Sequence, residues 1–174
     1  KEGIQTVILG RPNAGKSSLL NAMLGEERAI VTEVAGTTRD VLEESISLNG
    51  LTLNMIDTAG IRETEDVVER IGVERAKEKA QQADLILYVA DSSQELDQND
   101  REILHSLGGK KAVLILNKSD LPPAVTAEDL KKITGEQYPV LPVSAREGNG
   151  IELLEQTIRE LFYRGELSFN DEVY

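Results

Sequence analysis

The sequence contains no cysteine, which excludes a disulfide framework and any thiolate metal centre. That absence fits a reducing compartment such as the cytoplasm. Long hydrophobic runs are also missing. The longest apolar stretches, such as residues 112–116, suit buried strands and are too short to cross a bilayer. There are no internal repeats and no low-complexity segments, no signal peptide is visible in these residues, and the first residue is Lys1. Positive charge is in deficit: 19 Lys and Arg face 31 Asp and Glu, for a net charge of −12. A field of that sign repels nucleic acid and anionic membrane, so neither is expected as a direct partner of this domain.

What is present is one domain of ordinary size, 174 residues with 40% hydrophobic content, enough to bury a single core. The domain is expected over residues 1–165, with 166–174 a polar, acidic tail, and the whole reads as a piece cut from a longer protein. Residues 6–9 form a short apolar strand ending at Gly10. Leu19, Leu20, Met23 and Leu24 then share a helical face, with Gly25 a plausible C-cap. Residues 26–40 show no period and read as a long loop, a feature that is usually functional. Residues 41–48 and 51–56 flank Asn49-Gly50, a strong hairpin signal, so one edge strand should be antiparallel. Residues 62–82 begin irregular and become helical.

Residues 85–90 and 112–116 are continuous apolar runs of the kind buried on both faces of a sheet, with a helix between them marked by Ile103, Leu104 and Leu107. Residues 140–143, beside Pro139 and Pro142, suit a last strand near an edge. Ile151, Leu154, Ile158, Leu161 and Phe162 give a closing helix. The expectation is an α/β fold: a mostly parallel six-stranded sheet with one antiparallel edge strand and helices on both faces.

Three motifs fall at predicted strand ends. Gly10-Arg11-Pro12-Asn13-Ala14-Gly15-Lys16-Ser17 follows a strand and opens a helix, the context a phosphate-binding loop requires. Its glycines let backbone N–H groups converge on one phosphate, and the helix N-terminus adds partial positive charge. In so acidic a chain, triphosphate binding needs such a fixed donor array plus a cation. Candidate nucleotide-binding residues here are Asn13, Ala14, Gly15, Lys16, Ser17 and Ser18. Lys16 would reach the β- and γ-phosphates, and Ser17 would offer its hydroxyl to Mg²⁺.

The second motif is Asp57-Thr58-Ala59-Gly60. Asp57 would hold Mg²⁺ through water, and Gly60 would present its N–H to the γ-phosphate, with Thr58 and Ala59 lining the loop. The third is Asn117-Lys118-Ser119-Asp120. Asp120 can accept two hydrogen bonds from guanine N1–H and its amino group, a donor pair that adenine lacks; such mismatches discriminate by roughly 10⁴-fold in a closed site. Asn117 can bond the purine edge and hold neighbouring loops, and the Lys118 stem can cover the base. Ser144, Ala145 and Arg146 would supply backbone N–H groups to the guanine carbonyl. A further threonine ligand for Mg²⁺ is sought in Gly36-Thr37-Thr38-Arg39-Asp40, where the residues alone do not choose between Thr37 and Thr38.

In this order, and over nearly the whole chain, these motifs resemble the boxes of the GTPase superfamily, which implies GTP and GDP as ligands, a P-loop GTPase fold and Thr38 as the Mg²⁺ ligand. Ras-like enzymes orient the attacking water with a glutamine just after the Asp-x-x-Gly motif. Ile61 stands there and cannot bond water. Asn13, the 36–40 segment, and Asp57-Thr58-Ala59-Gly60-Ile61-Arg62 followed by Val68-Glu69-Arg70-Ile71-Gly72 look like the G domain of the MnmE (TrmE) tRNA-modifying GTPases, relatives of Era and EngA. The resemblance implies that Glu69 positions the attacking water through a second water, with Lys16, Thr38 and Gly60 completing the catalytic set.

The resemblance further implies a K⁺ site made by the Asn13 side chain and backbone oxygens of Thr32, Val34 and Thr37, and G domains that form a homodimer across their nucleotide faces. It also implies a flavoprotein partner in wobble-uridine modification and a flanking helical domain outside this chain. Arg39 and Arg62 are expected in loop or dimer contacts, and His105 is expected to be structural. The alternatives are an Era- or EngA-like ribosome-assembly GTPase, a nucleotide-sensing module with negligible turnover, and, weakest, an ATP-using kinase.

Overall fold

The computed structural model describes residues 3–11, 14–26, 44–48, 50–58, 61, 72–135 and 137–173, with side chains as far as 163. Its core is set by the strands that carry no polar face. In β4 (Leu85–Asp91) and β5 (Lys111–Asn117) nearly every residue is buried. Successive side chains of a strand point to opposite faces, and the packing follows that rule. Leu85, Leu87 and Val89 join one apolar cluster with Val113 and Ile115. Ile86, Tyr88 and Ala90 join a second with Ala112, Leu114 and Leu116. A sheet buried on both faces needs helices on both, and each fully buried Leu or Ile contributes roughly 1.5–3 kcal/mol to keeping them there.

The first cluster takes Leu19, Leu20 and Met23 from α1 (Lys16–Glu26) and Ile151, Leu154 and Ile158 from α5 (Ile151–Val173). The second takes Ala80 from α2 (Gly72–Gln82), Ile103 and Leu104 from α3 (Gln98–His105) and Leu130 from α4 (Ala127–Thr134). With β1 (Ile4–Leu9), β2 (Glu44–Leu48), β3 (Leu51–Met55) and β6 (Val140–Pro142), the strand order is β2-β3-β1-β4-β5-β6. The pairs are parallel except β2 with β3, whose antiparallel register runs from Glu44 opposite Met55 to Leu48 opposite Leu51. The six-stranded, mostly parallel sheet with one antiparallel edge strand is therefore as the sequence predicts. β6 is the other edge: Val143 N–H donates to Leu116 at 2.9 Å and the Pro139 carbonyl accepts the Leu114 N–H at 2.9 Å, so Pro142, between the bonded positions, owes the ladder no N–H.

β1 pairs with β3 on one side and β4 on the other, so the chain switches direction of winding at β1. Crevices at such a point, beyond the carboxyl ends of the strands, are where α/β sheets bind ligands. Three differences from the sequence reading are local. α1 runs through Gly25 to Glu26. Residues 166–173, expected as a tail, continue α5 to Val173; one glycine at 165 costs only about 1 kcal/mol in a helix. α4 has no counterpart in the sequence expectation.

Candidate functional site

The predicted phosphate loop leaves β1 and enters α1. Gly10 has φ 150° and Gly15 φ 105°, both in the region that favours glycine. A Cβ at Gly10 would collide with the Val89 carbonyl, and one at Gly15 with the Asn117 side-chain amide. The loop therefore lies flush against β4 and β5. Ala14 is buried, its N–H donates to the Arg11 carbonyl at 3.2 Å, and Leu19 N–H donates to Gly15 at 2.9 Å, closing the first helical turn. Lys16 and Ser17 are half-buried on that turn and Ser18 is exposed. The Lys16 ammonium folds back and donates to the Gly10 carbonyl at 2.8 Å, so it already spans the loop it is expected to serve.

The other motifs converge on the same edge of the sheet. Asn117, 3% exposed at the end of β5, joins two of them. Its Nδ2 donates to the Ala14 carbonyl at 2.9 Å and its Oδ1 accepts the Ala145 N–H at 3.0 Å. Ser144 Oγ donates to Asp120 Oδ1 at 2.9 Å, and Ser119 N–H donates to the Val143 carbonyl at 3.0 Å. The 144–149 turn is closed by Ser144 N–H on Asn149 and Asn149 N–H on Ser144, at 2.9 and 3.0 Å. Asp120 and Arg146 are exposed, while Ser144 and Ala145 are buried.

Among the described residues, the non-glycine positions with left-handed backbone are Asp57, φ 61°, and Lys118, φ 63°. Both belong to predicted motifs, and strained backbone of this kind collects at functional sites. Lys118 is held by its ammonium, which donates to Asp91 at 2.9 Å. Burial pushes the Asp91 carboxyl up, but hydrogen bonds from Ser93 and Lys118 outweigh it and hold the group below the usual aspartate range. Asp91 was invisible as a site residue in the sequence, since no motif contains it.

Asp57, half-exposed beyond β3, pairs with Lys79 of α2; burial lowers the Lys79 pKa from its ordinary value. A carboxylate and the Ser17 hydroxyl, both at the carboxyl edge of adjacent strands, form the hard oxygen donor set that suits Mg²⁺, which binds through one or two carboxylates plus substrate phosphates. The ammonium already drawn to Asp57 fits a carboxylate placed to meet a cation. Thr58 is buried and Ile61 is 5% exposed within the first apolar cluster, so Ile61 faces the core. His105 ends α3 and is exposed. Asn13, Thr32, Val34, Thr37, Thr38, Arg39, Ala59, Gly60, Arg62 and Glu69 lie outside the described residues.

Residues 5–118, most of this site included, match the family model described as 50S ribosome-binding GTPase. The chain belongs to this GTPase family. GTP is thus its nucleotide and GTP hydrolysis its reaction, with Mg²⁺ the metal that the family generally requires. The likeness to MnmE proteins is also borne out. Over all 174 residues the chain is 59% identical to the tRNA modification GTPase MnmE of Lachnoclostridium phytofermentans, and over 173 residues (99% of its length) 53% identical to that of Natranaerobius thermophilus. It spans 38% of the length of each. The G domain of the T. maritima FeoB iron transporter superposes with a TM-score of 0.61 at 26% identity, over 91% of this chain and 98% of that one. Among the described residues no helix is long and apolar enough to cross a membrane.

Proposed function

We propose that this chain is the G domain of a cytoplasmic MnmE-type GTPase that serves modification of the tRNA wobble uridine, with K⁺-stimulated hydrolysis and G domains that pair across their nucleotide faces. The observation that carries the proposal is 59% identity to an MnmE protein across the entire chain. The tRNA role is named in whole relatives of which this chain covers 38% and is proposed on that ground alone; the flavoprotein partner is proposed on the resemblance of the sequence motifs alone.

In this reading the backbone N–H groups of Asn13 to Ser18 and the Lys16 ammonium bind the phosphates. Lys16 exchanges its hold on the Gly10 carbonyl for phosphate oxygens. Asp120 reads guanine, Asn117 and Lys118 line the base, and Ser144, Ala145 and Arg146 close its far side. Asp57, Thr58, Ala59 and Gly60 follow the γ-phosphate, with the Gly60 N–H bonded to it. Glu69 orients the attacking water through a second water, the role that buried Ile61 cannot take. The water oxygen bonds to the γ-phosphorus as the bond to the β–γ bridging oxygen breaks, and GDP and phosphate result. Ser17, Thr38 and Asp57 would hold Mg²⁺, and Asn13, Thr32, Val34 and Thr37 would hold K⁺; the two cations would supply positive charge where negative charge develops.

Steady-state GTP hydrolysis in K⁺ and in Na⁺ at equal ionic strength tests the proposal. Turnover in K⁺ should exceed that in Na⁺ by roughly 10²-fold, and Glu69→Ala should lose roughly 10²-fold or more. Equal rates in the two salts would remove the K⁺ site, and full activity of the variant would remove Glu69. A second reading, ribosome assembly of the Era or EngA kind, is favoured by the description of the matching family model. Binding of the full-length protein to 50S subunits, with no loss of tRNA modification on its deletion, would select it.

A further inference from the structure

Arg11 occupies a position that the phosphate-loop pattern leaves free, yet each nitrogen of its guanidinium has a partner. Nε lies 3.0 Å from Asp100 Oδ2, Nη1 lies 3.4 Å from Asp97 Oδ2, and Nη2 donates to the Glu95 carbonyl at 3.0 Å. All three acceptors belong to the entry into α3. The Arg11 carbonyl also accepts the Ala14 N–H, so this residue closes the turn of the loop while its side chain reaches away to a neighbouring element.

The receiving end is rigid. Asp100 is 2% exposed and accepts the hydroxyl of Tyr88, itself buried on β4. Asp97 and Asp100 form a reciprocal capping box: Asp97 N–H donates to Asp100 at 3.0 Å and Asp100 N–H donates to Asp97 at 2.9 Å. Exposed ion pairs contribute little because water competes for both partners. This pair differs in that one carboxylate is out of water and the cation is a planar fork bonded at three points, a geometry that lysine cannot reproduce. A glycine-containing loop is otherwise loose. Asn117 pins it at Ala14, and Arg11 supplies a second, independent anchor.

We propose that Arg11 is a positioning residue that clamps the phosphate loop to the start of α3 and so holds the loop's N–H groups ready for the β-phosphate. The proposal rests on residues 10–17 being the phosphate loop. Without the clamp the loop spends less time in its binding-competent form, and apparent affinity falls by that fraction. The loss falls on ligands that the loop grips. GDP should suffer, whereas GMP, which lacks the β-phosphate and depends on the base pocket, should not.

The test is the affinity of the full chain for GDP and for GMP, measured by displacement of a fluorescent GDP, with thermal melting alongside. Arg11→Ala should weaken GDP about tenfold and leave GMP within about twofold, with Arg11→Lys recovering part of the loss. Tyr88→Phe loosens the same cluster without touching the loop; it should lower the melting temperature and keep the wild-type GDP:GMP ratio. A wild-type ratio in Arg11→Ala overturns the proposal, as does an equal shift of that ratio in Tyr88→Phe. Should Arg11→Ala not fold, Arg11→Lys carries the test, and an unchanged ratio there overturns it. A wild-type chain that binds GMP as tightly as GDP would instead refute the phosphate-loop assignment itself.

Discussion

Asn117 illustrates what one buried amide can organise. It lies 103 residues from Ala14 and 28 from Ala145, yet it fixes the phosphate loop and the base loop against each other. Replacing it with alanine leaves the Ala14 carbonyl and the Ala145 N–H without that partner, at about 1–3 kcal/mol for each buried group left unsatisfied. Asn117→Ala should therefore lower the melting temperature of the apo chain and also weaken GDP, since both halves of the nucleotide site lose a common post. Calorimetric melting with and without GDP checks this, and an unchanged GDP-induced stabilisation would contradict it. At this scale the sequence singles out as candidates the residues whose chemistry is tied to spacing, among them Lys16, Asn117 and Asp120. It could not reveal Asp91, Asp100 or the task of Arg11. Asp91 finds Lys118, and Arg11 finds Asp100, only once the strand order brings the ends of β1, β4 and β5 together, and an aspartate on an amphipathic helix looks solvated until the fold buries it.

The elements were legible where hydrophobic pattern and turn chemistry agreed. Asn49-Gly50 and its flanking runs gave the antiparallel edge, and the unbroken apolar runs gave β4 and β5. α4 escaped because its buried side chains, Leu130 and Thr134, make too sparse an apolar face to announce a helix. The available signal was its cap. Thr126 accepts the Asp129 N–H at 3.4 Å while the Asp129 carboxylate accepts the Thr126 N–H at 2.9 Å, a reciprocal box spelled Thr-x-x-Asp. Thr126→Ala should cost about 1 kcal/mol and lower the melting temperature by roughly 2–4 °C for a chain of this size. The variant should keep wild-type GDP affinity, because α4 carries none of the nucleotide contacts proposed above. Parallel melting and GDP titrations decide both parts, and a loss of GDP affinity would mean that α4 supports the base loop.

As a whole molecule the chain carries −12, which opposes self-association at low ionic strength and is relieved by any salt that screens it. Pairing across the nucleotide faces must overcome that repulsion, so a dimer seen in potassium chloride alone would say nothing about a K⁺ site. Sodium and potassium chloride at one concentration screen equally. A difference between them can come only from a site that discriminates the ions, and the proposed cage of Asn13, Thr32, Val34 and Thr37 is that site. With GDP and aluminium fluoride, size-exclusion chromatography should give a dimer in K⁺ and a monomer in Na⁺, and Asn13→Ala should erase the difference. With GDP alone the chain should stay monomeric in both salts, because the proposed pairing would be tied to charge that develops only at the transition state. Dimers in both salts would leave screening as the cause and remove the ion from the mechanism. Monomers in both would leave each site to be completed by its own chain, and Glu69 would then have to reach the attacking water without help from a second copy.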